Sequence, residues 1–198
     1  MPRPFLTLCT FALVFVPVAA LAHPGAPGHI HGFANGFNHP LSGIDHILAM
    51  VAVGLFAAHL SGRALWLVPL AFVSVMALAG IAGMAGVVLP FVEIGIGMSV
   101  IVLGLAVAFQ LSVSTLAAMA LVGFFAIFHG YAHGAEMPGS ISGLSYGFGF
   151  VSATILLHTI GVSLGVAIGK TGRVFSRRVS QISGAAITTA GIAIVLLP

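Results

Sequence analysis

The chain carries very little charge for its length. Of 198 residues, six are Lys or Arg and three are Asp or Glu, so that 5% are charged and 60% are hydrophobic. A soluble globular domain carries about 25% charged residues. This composition predicts a membrane protein, and the few basic residues argue against binding to nucleic acid.

The sequence has a single cysteine and no complete phosphate-binding loop. The single cysteine, Cys9, lies in a segment that we predict to be removed, so any metal site of the mature chain must use nitrogen and oxygen donors. Residues 169–171 read Gly-Lys-Thr, but Leu164 stands where a phosphate-binding loop needs glycine. We therefore expect no bound nucleotide and no ATP-driven pump.

The N-terminus has the pattern of a secretory signal peptide. Arg3 precedes an apolar run over residues 5–18, and Ala20-Leu21-Ala22 forms a small-residue cleavage pattern. We predict a signal peptide over residues 1–22 and a His/Gly/Pro-rich periplasmic segment over residues 23–40. The alternative is an uncleaved first transmembrane helix, for which this run is short.

Six further apolar stretches are long enough to cross a bilayer. Helices are expected, because they pair their backbone groups within each segment and the alternation of a membrane β-barrel is missing. The predicted fold is all-α, a polytopic bundle of six transmembrane helices over residues 41–198. The stretches are residues 41–60, 64–86, 89–109, 113–133, 143–168 and 179–197.

The basic residues predict the orientation of the bundle. Arg63 follows the first stretch, and the other four follow the fifth, namely Lys170, Arg173, Arg177 and Arg178. Short loops rich in Lys and Arg face the cytoplasm, so both termini of the mature chain are predicted on the periplasmic side of a bacterial inner membrane. Glycines at four-residue spacing are expected to let helices pack closely; they are Gly130 and Gly134, Gly143 and Gly147, and Gly161, Gly165 and Gly169.

Ionisable residues concentrate in the outer half of the predicted bundle. Such groups are costly in lipid and usually mark a pathway or a site. His129 and His133 are four residues apart and share a helix face, which Glu136 continues. Asp45 and His46 lie below the outer end of the first span. His39 shares the face of His46 if Pro40 opens the helix, Glu93 begins the third span, and His158 lies deeper.

Other side chains admit two interpretations. Met50, one turn below His46, either packs in the core or offers a soft thioether. The histidines of the N-terminal segment either capture metal ions or belong to a solvated tail; they are His23, His29 and His31. Imidazole and carboxylate donors without thiolate suit nickel, cobalt, zinc or copper(II), and affinity alone does not choose among these ions.

Three blocks of the sequence resemble the HupE/UreJ family of hydrogenase- and urease-accessory membrane proteins. Residues 32–50 read GFANGFNHPLSGIDHILAM, residues 128–136 read FHGYAHGAE, and residues 149–161 read GFVSATILLHTIG. The broader nickel/cobalt permeases have a similar first motif with four residues between His and Asp-His, whereas this chain has five. The extra residue turns His39 by about 100° on an ideal helix.

The resemblance implies a secondary transporter, not an enzyme, that imports nickel or cobalt for metalloenzyme maturation. No permanently bound cofactor is expected, and Ni²⁺ or Co²⁺ is the transported ion. The implied metal ligands are His39, Asp45, His46, His129, His133, Glu136 and His158. Our own hypothesis adds that Glu93 or Glu136 compensates the charge of the ion. Two alternatives stay open: a non-transporting metal-binding accessory protein, and an intramembrane metalloenzyme, although the sequence has no H-E-x-x-H motif. Homo-oligomerisation and contact with a metallochaperone also stay open.

Overall fold

The structure, a computed structural model, describes residues 31–137 and 142–197. These residues form helices joined by short connections, and no strand occurs among them. The all-α prediction is confirmed for this part of the chain, whereas the predicted signal peptide lies outside it. The helices are α1 (His31–Ser42), α2 (Ile44–Leu60), α3 (Ala64–Met84), α4 (Val92–Ala108), α5 (Thr115–Ala135), α6 (Gly143–Gly169) and α7 (Arg173–Leu196).

Each predicted apolar stretch overlaps one of the helices α2–α7, and the bounds of α2–α6 agree to within three residues. Helix α7 begins at Arg173, six residues before the predicted start at residue 179, so Arg173, Arg177 and Arg178 lie in its first turns. Among the described helices, four are long and apolar enough to cross a membrane, namely α3, α5, α6 and α7, and the bent pair α1 and α2 makes a fifth candidate. Helix α4 has 17 residues, which gives about 25 Å at 1.5 Å per residue against a hydrocarbon core of about 30 Å. The chain is thus a multi-pass membrane protein, and six spans stay a prediction.

The first predicted span differs from the structure at its outer end. We predicted a helix starting near Leu41 and opened by Pro40, but Pro40 lies inside α1, and α2 begins at Ile44. The two helices meet at 81°. The break is at Gly43, whose extended backbone (φ −92°, ψ 119°) caps α2. This corner carries His39 on α1 and the Asp45-His46 pair on α2 toward the same place.

Four pairs of described helices pack with their backbones in contact at glycines, and in the pair α1 and α6 these are Gly36 against Tyr146 and Gly149 against Phe33. A Cβ atom on Gly130 of α5 would overlap the carbonyl of Met76 on α3, and one on Gly54 of α2 would lie 2.5 Å from the carbonyl of His158 on α6. Gly104 of α4 packs in the same way against Thr188 of α7. Small residues allow such close approach in lipid.

The predicted glycine pattern is confirmed in part. Gly134 contacts α3, and both Gly161 and Gly165 contact α2. By contrast, Gly147 and Gly169 have no atom within 4 Å of an added Cβ, so at these positions the four-residue spacing does not mark a packing face.

Two polar cavities lie at opposite ends of the bundle. Ser61, Gln110 and Gly169 line one of them, which places the α2–α3, α4–α5 and α6–α7 connections at the same end. His39 and Glu93 line the other. Fully buried apolar side chains fill the space between the ends; they include Val53, Phe56, Val68, Phe72, Val100, Leu103 and Val122. The Lys and Arg residues of the described segments lie in or beside these connections, and therefore at the end of the bundle away from His39.

Candidate metal site

The cavity beside α1 collects every acidic residue of the chain. The sequence has three Asp or Glu residues, and Asp45, Glu93 and Glu136 all line this cavity with His39, His46 and His133. Its volume is about 250 Å³, which leaves room for an ion with several water molecules, since each takes about 30 Å³ in the liquid. Three carboxylates around one polar cavity favour a divalent cation over an anion.

Three side chains at the mouth of the cavity are close enough to share an ion. His39, His133 and Glu136 each offer a ligand atom, and these atoms all lie within 4.8 Å of one another. The Nε2 atom of His39 is 3.8 Å from a carboxylate oxygen of Glu136. His133 is buried, whereas Glu136 is exposed, so that the group extends from the surface into the bundle.

A row of four imidazoles leads inward from this mouth. The ring centroids are 4.6 Å apart for His39 and His133, 4.5 Å for His133 and His46, and 4.9 Å for His46 and His129. The four rings come from α1, α5, α2 and α5 again. Histidines that are distant in sequence thus meet at one end of the protein, as the sequence predicted for this group.

Asp45 and His46 form a hydrogen-bonded pair at the start of α2. The Nδ1 atom of His46 is 2.8 Å from Asp45 Oδ1, which also accepts a hydrogen bond from the backbone N–H of His46. A carboxylate only accepts, so Nδ1 carries the proton and Nε2 keeps its lone pair. That Nε2 atom is buried and has no partner among the described residues. Carboxylates commonly orient metal-binding histidines in this way.

The next histidine, His129, is fully buried and contacts α4. Its Nε2 atom lies 2.8 Å from the hydroxyl of Ser99, whose Oγ also lies 2.6 Å from the carbonyl of Ile96. The other ring nitrogen, Nδ1, has no partner within the described part of the chain. Sequence reasoning missed Ser99, although a serine in the apolar third stretch, six residues after Glu93, was an available signal.

His158 lies deeper and does not join the row. The ring of Phe72 separates it from His129, with centroid distances of 5.2 Å to His158 and 5.7 Å to His129. Both ring nitrogens of His158 are buried without a partner among the described residues. Sequence reasoning also missed Phe72, because one aromatic residue in an apolar helix has no distinctive pattern.

The remaining predicted residues take separate positions. Glu93 is exposed at the edge of the cavity. Met50 is fully buried in the apolar core, in agreement with the packing interpretation. His23 and His29 lie outside the described residues, and His31 begins α1, with its side chain outside the description.

The fold and the site together define a helical membrane protein with imidazole and carboxylate donors gathered at one end. The sequence model of the family described as "HupE / UreJ protein" matches residues 11–194. The chain also resembles Protein HupE of Rhizobium leguminosarum bv. viciae, with 45% identity over 188 residues that cover 94% of this chain and 95% of that protein. No solved structure gives a significant match. The chain belongs to the HupE/UreJ family, which confirms the resemblance of its three motifs.

Proposed function

We propose that this protein is a secondary transporter that moves nickel, or alternatively cobalt, into the cell for the maturation of a hydrogenase or a urease. The observation that carries the proposal is the row of imidazoles beside all three carboxylates of the chain. Polar groups in a membrane bundle are costly and are usually retained for a pathway or a site. Membership in a family of hydrogenase and urease accessory proteins supports nickel as the cargo.

The donor set fits an ion that must be bound and released. Glu93 and Glu136 are exposed at the mouth and attract a divalent cation. The unpartnered ring nitrogens of His46, His129 and His133 then offer neutral donors. Nitrogen donors of this kind suit nickel and cobalt, and conduction requires binding weak enough to let the ion leave.

The direction of transport rests on the predicted topology. The cavity lies at the end of the bundle away from the basic residues, and the positive-inside pattern predicts that this end is periplasmic. Beyond His129 the path is closed by Phe72 and the apolar core. An imported ion would therefore need a conformational change to pass toward His158 and the cytoplasm.

Uptake of radioactive nickel by bacterial cells that lack their own nickel importers tests the proposal. We expect wild type to accumulate nickel, and Asp45→Asn, His46→Ala and His129→Ala to lower the initial rate at least about tenfold, as loss of a ligand or its orienting partner does. The matched control is His59→Ala, because His59 is an exposed histidine at the opposite end of α2, and it should keep the wild-type rate. Competition with unlabelled cobalt measures the preference between the two ions.

Two results would contradict the proposal. Normal accumulation in all three variants would remove the site. Nickel binding by the purified wild type, without uptake above the empty vector in cells that contain the protein in their membranes, would identify a non-transporting metal-binding accessory protein.

A further inference from the structure

Toward His129, the hydroxyl of Ser99 can accept a hydrogen bond but cannot donate one. A serine hydroxyl has a single proton, and the 2.6 Å distance from Ser99 Oγ to the carbonyl of Ile96 places that proton in a bond within α4. Serines in helices commonly bond the carbonyl of the preceding turn in this way. Toward His129, 2.8 Å away, the oxygen can then only accept.

This assignment determines which nitrogen of His129 carries the proton. If Ser99 accepts, the proton is on Nε2 and the lone pair is on Nδ1. The opposite tautomer would leave an N–H at Nδ1, which is buried and has no partner among the described residues. A buried donor without an acceptor is destabilising, so the packing disfavours that tautomer.

The same logic gives His46 the opposite tautomer. Asp45 accepts from its Nδ1, which leaves the lone pair on Nε2. Two residues on two different helices, Asp45 on α2 and Ser99 on α4, therefore face the protonated nitrogens of two imidazoles whose ring centroids are 4.9 Å apart. Each imidazole keeps its other nitrogen buried and without a partner in the described segments.

We infer that Ser99 is a positioning residue of the metal site, which holds His129 as the Nε2–H tautomer so that Nδ1 of His129 binds the cation. This inference rests on the proposed metal-handling function and names the ligand atom within it. Partners of this kind typically change metal affinity by about 10–100-fold when they are removed.

Two measurements on the full chain in lipid nanodiscs test the inference. The ¹⁵N spectrum of histidine-labelled, metal-free protein reports the tautomer of His129, with the signal assigned by its loss in His129→Gln. A calorimetric titration of the protein with Ni²⁺ alone reports its affinity for the ion. We expect Ser99→Ala to give a mixture of both tautomers and to weaken Ni²⁺ binding by about 10–100-fold. Ser99→Thr retains the hydroxyl and should restore the Nε2–H tautomer.

The matched control is Thr188→Val. Thr188 is a buried hydroxyl residue whose Oγ1 donates to the carbonyl of Gly184 in its own helix and lies 3.5 Å from the carbonyl of Ile101 on α4. Because these partners are backbone carbonyls and not imidazoles, its removal should change neither measurement. Ser99→Ala removes one oxygen and adds no atom, so the variant should retain the packing of the bundle. Its elution on size exclusion should match that of wild type.

Three results would overturn the inference: an Nδ1–H tautomer in wild type, a tautomer unchanged in Ser99→Ala, or Ni²⁺ affinity unchanged in Ser99→Ala. If the proposed transport is wrong but the positioning role of Ser99 is right, the results differ from these three. A wild type that binds Ni²⁺ through an Nε2–H His129 but imports none would support the positioning role of Ser99 and contradict the proposed transport.

Discussion

Single residues decide the shape of the candidate site, and Gly43 shows how. A Cβ atom at Gly43 would lie 2.6 Å from Asp45 Oδ1 and 2.8 Å from His46 Nδ1. The backbone of Gly43 is extended, a conformation that any residue adopts. Glycine is therefore required here by the hydrogen-bonded pair that lies against it and not by the turn itself.

Gly43→Ala should weaken metal binding with little effect on stability. The added methyl group displaces the Asp45–His46 pair without straining the backbone, and loss of an orienting carboxylate typically costs about 10–100-fold in metal affinity. Calorimetric titration with Ni²⁺ and a thermal melt of the same sample measure the two effects. Gly147→Ala is the matched control, because a Cβ there has no atom within 4 Å. Wild-type affinity in Gly43→Ala would show that the pair does not orient a ligand.

For single residues, the sequence predicted which side chains share a face of one helix better than it predicted which side chains meet between two helices. The i,i+4 spacing placed His129 and His133 on one face, and both rings lie in the row with His46. The bond from Ser99 to His129 joins residues 30 positions apart on two helices. Its partners become neighbours only when α4 packs beside α5, so no spacing rule predicts it.

At the scale of helices, glycines at four-residue spacing allow close packing, but a close contact forms only where a second helix lies against them. Gly161, Gly165 and Gly169 repeat every four residues on α6, but α2 reaches only the first two. Helix α2 ends at Leu60, so the series continues past the end of its partner. Hydropathy predicted the bounds of α2–α6 to within three residues, but it placed the start of α7 six residues late, because the basic first turns of α7 are not apolar. It also missed the corner at Gly43, because α1 is a short, polar, glycine-containing helix.

Gly161→Ala should destabilise the protein, whereas Gly169→Ala should not. The methyl group at Gly161 would overlap the carbonyl of Val51 on α2, and overpacking costs about 1–3 kcal/mol. At Gly169 nothing lies within 4 Å, so the higher helix propensity of alanine, worth up to about 1 kcal/mol, is not opposed. Thermal unfolding of both variants in the same detergent measures the difference. Equal melting temperatures would show that backbone contact between α2 and α6 contributes little to stability.

For the whole molecule, charge is divided between the two ends of the bundle. The three carboxylates line the cavity with the histidines, while Arg63 and the basic residues of the α6–α7 region belong to the other end. The sequence predicted this division because the Lys and Arg residues after the signal-peptide region follow only the first and the fifth apolar stretch. The convergence of α1, α2, α4 and α5 around one cavity needed the structure, since hydropathy contains no information on which helices are neighbours.

The orientation of the bundle is open to a direct test with single cysteines in a Cys9→Ala background. The α3–α4 connection lies at the histidine end, because Gly83 near the end of α3 contacts Tyr131 of α5. Val88 in this connection is 87% exposed, and Thr171 in the α6–α7 connection is also exposed. If the positive-inside pattern holds, a membrane-impermeant maleimide added to spheroplasts labels Val88→Cys at once.

Thr171→Cys should react only after the membrane is opened with detergent. Labelling in detergent also serves as a control, because it shows that both cysteines are able to react. The reverse labelling pattern would place the carboxylates and histidines in the cytoplasm, where they meet ions that have already entered. A cavity on that side would favour export or intracellular metal handling, so this labelling pattern tests the orientation on which the proposed import depends, independently of any uptake measurement.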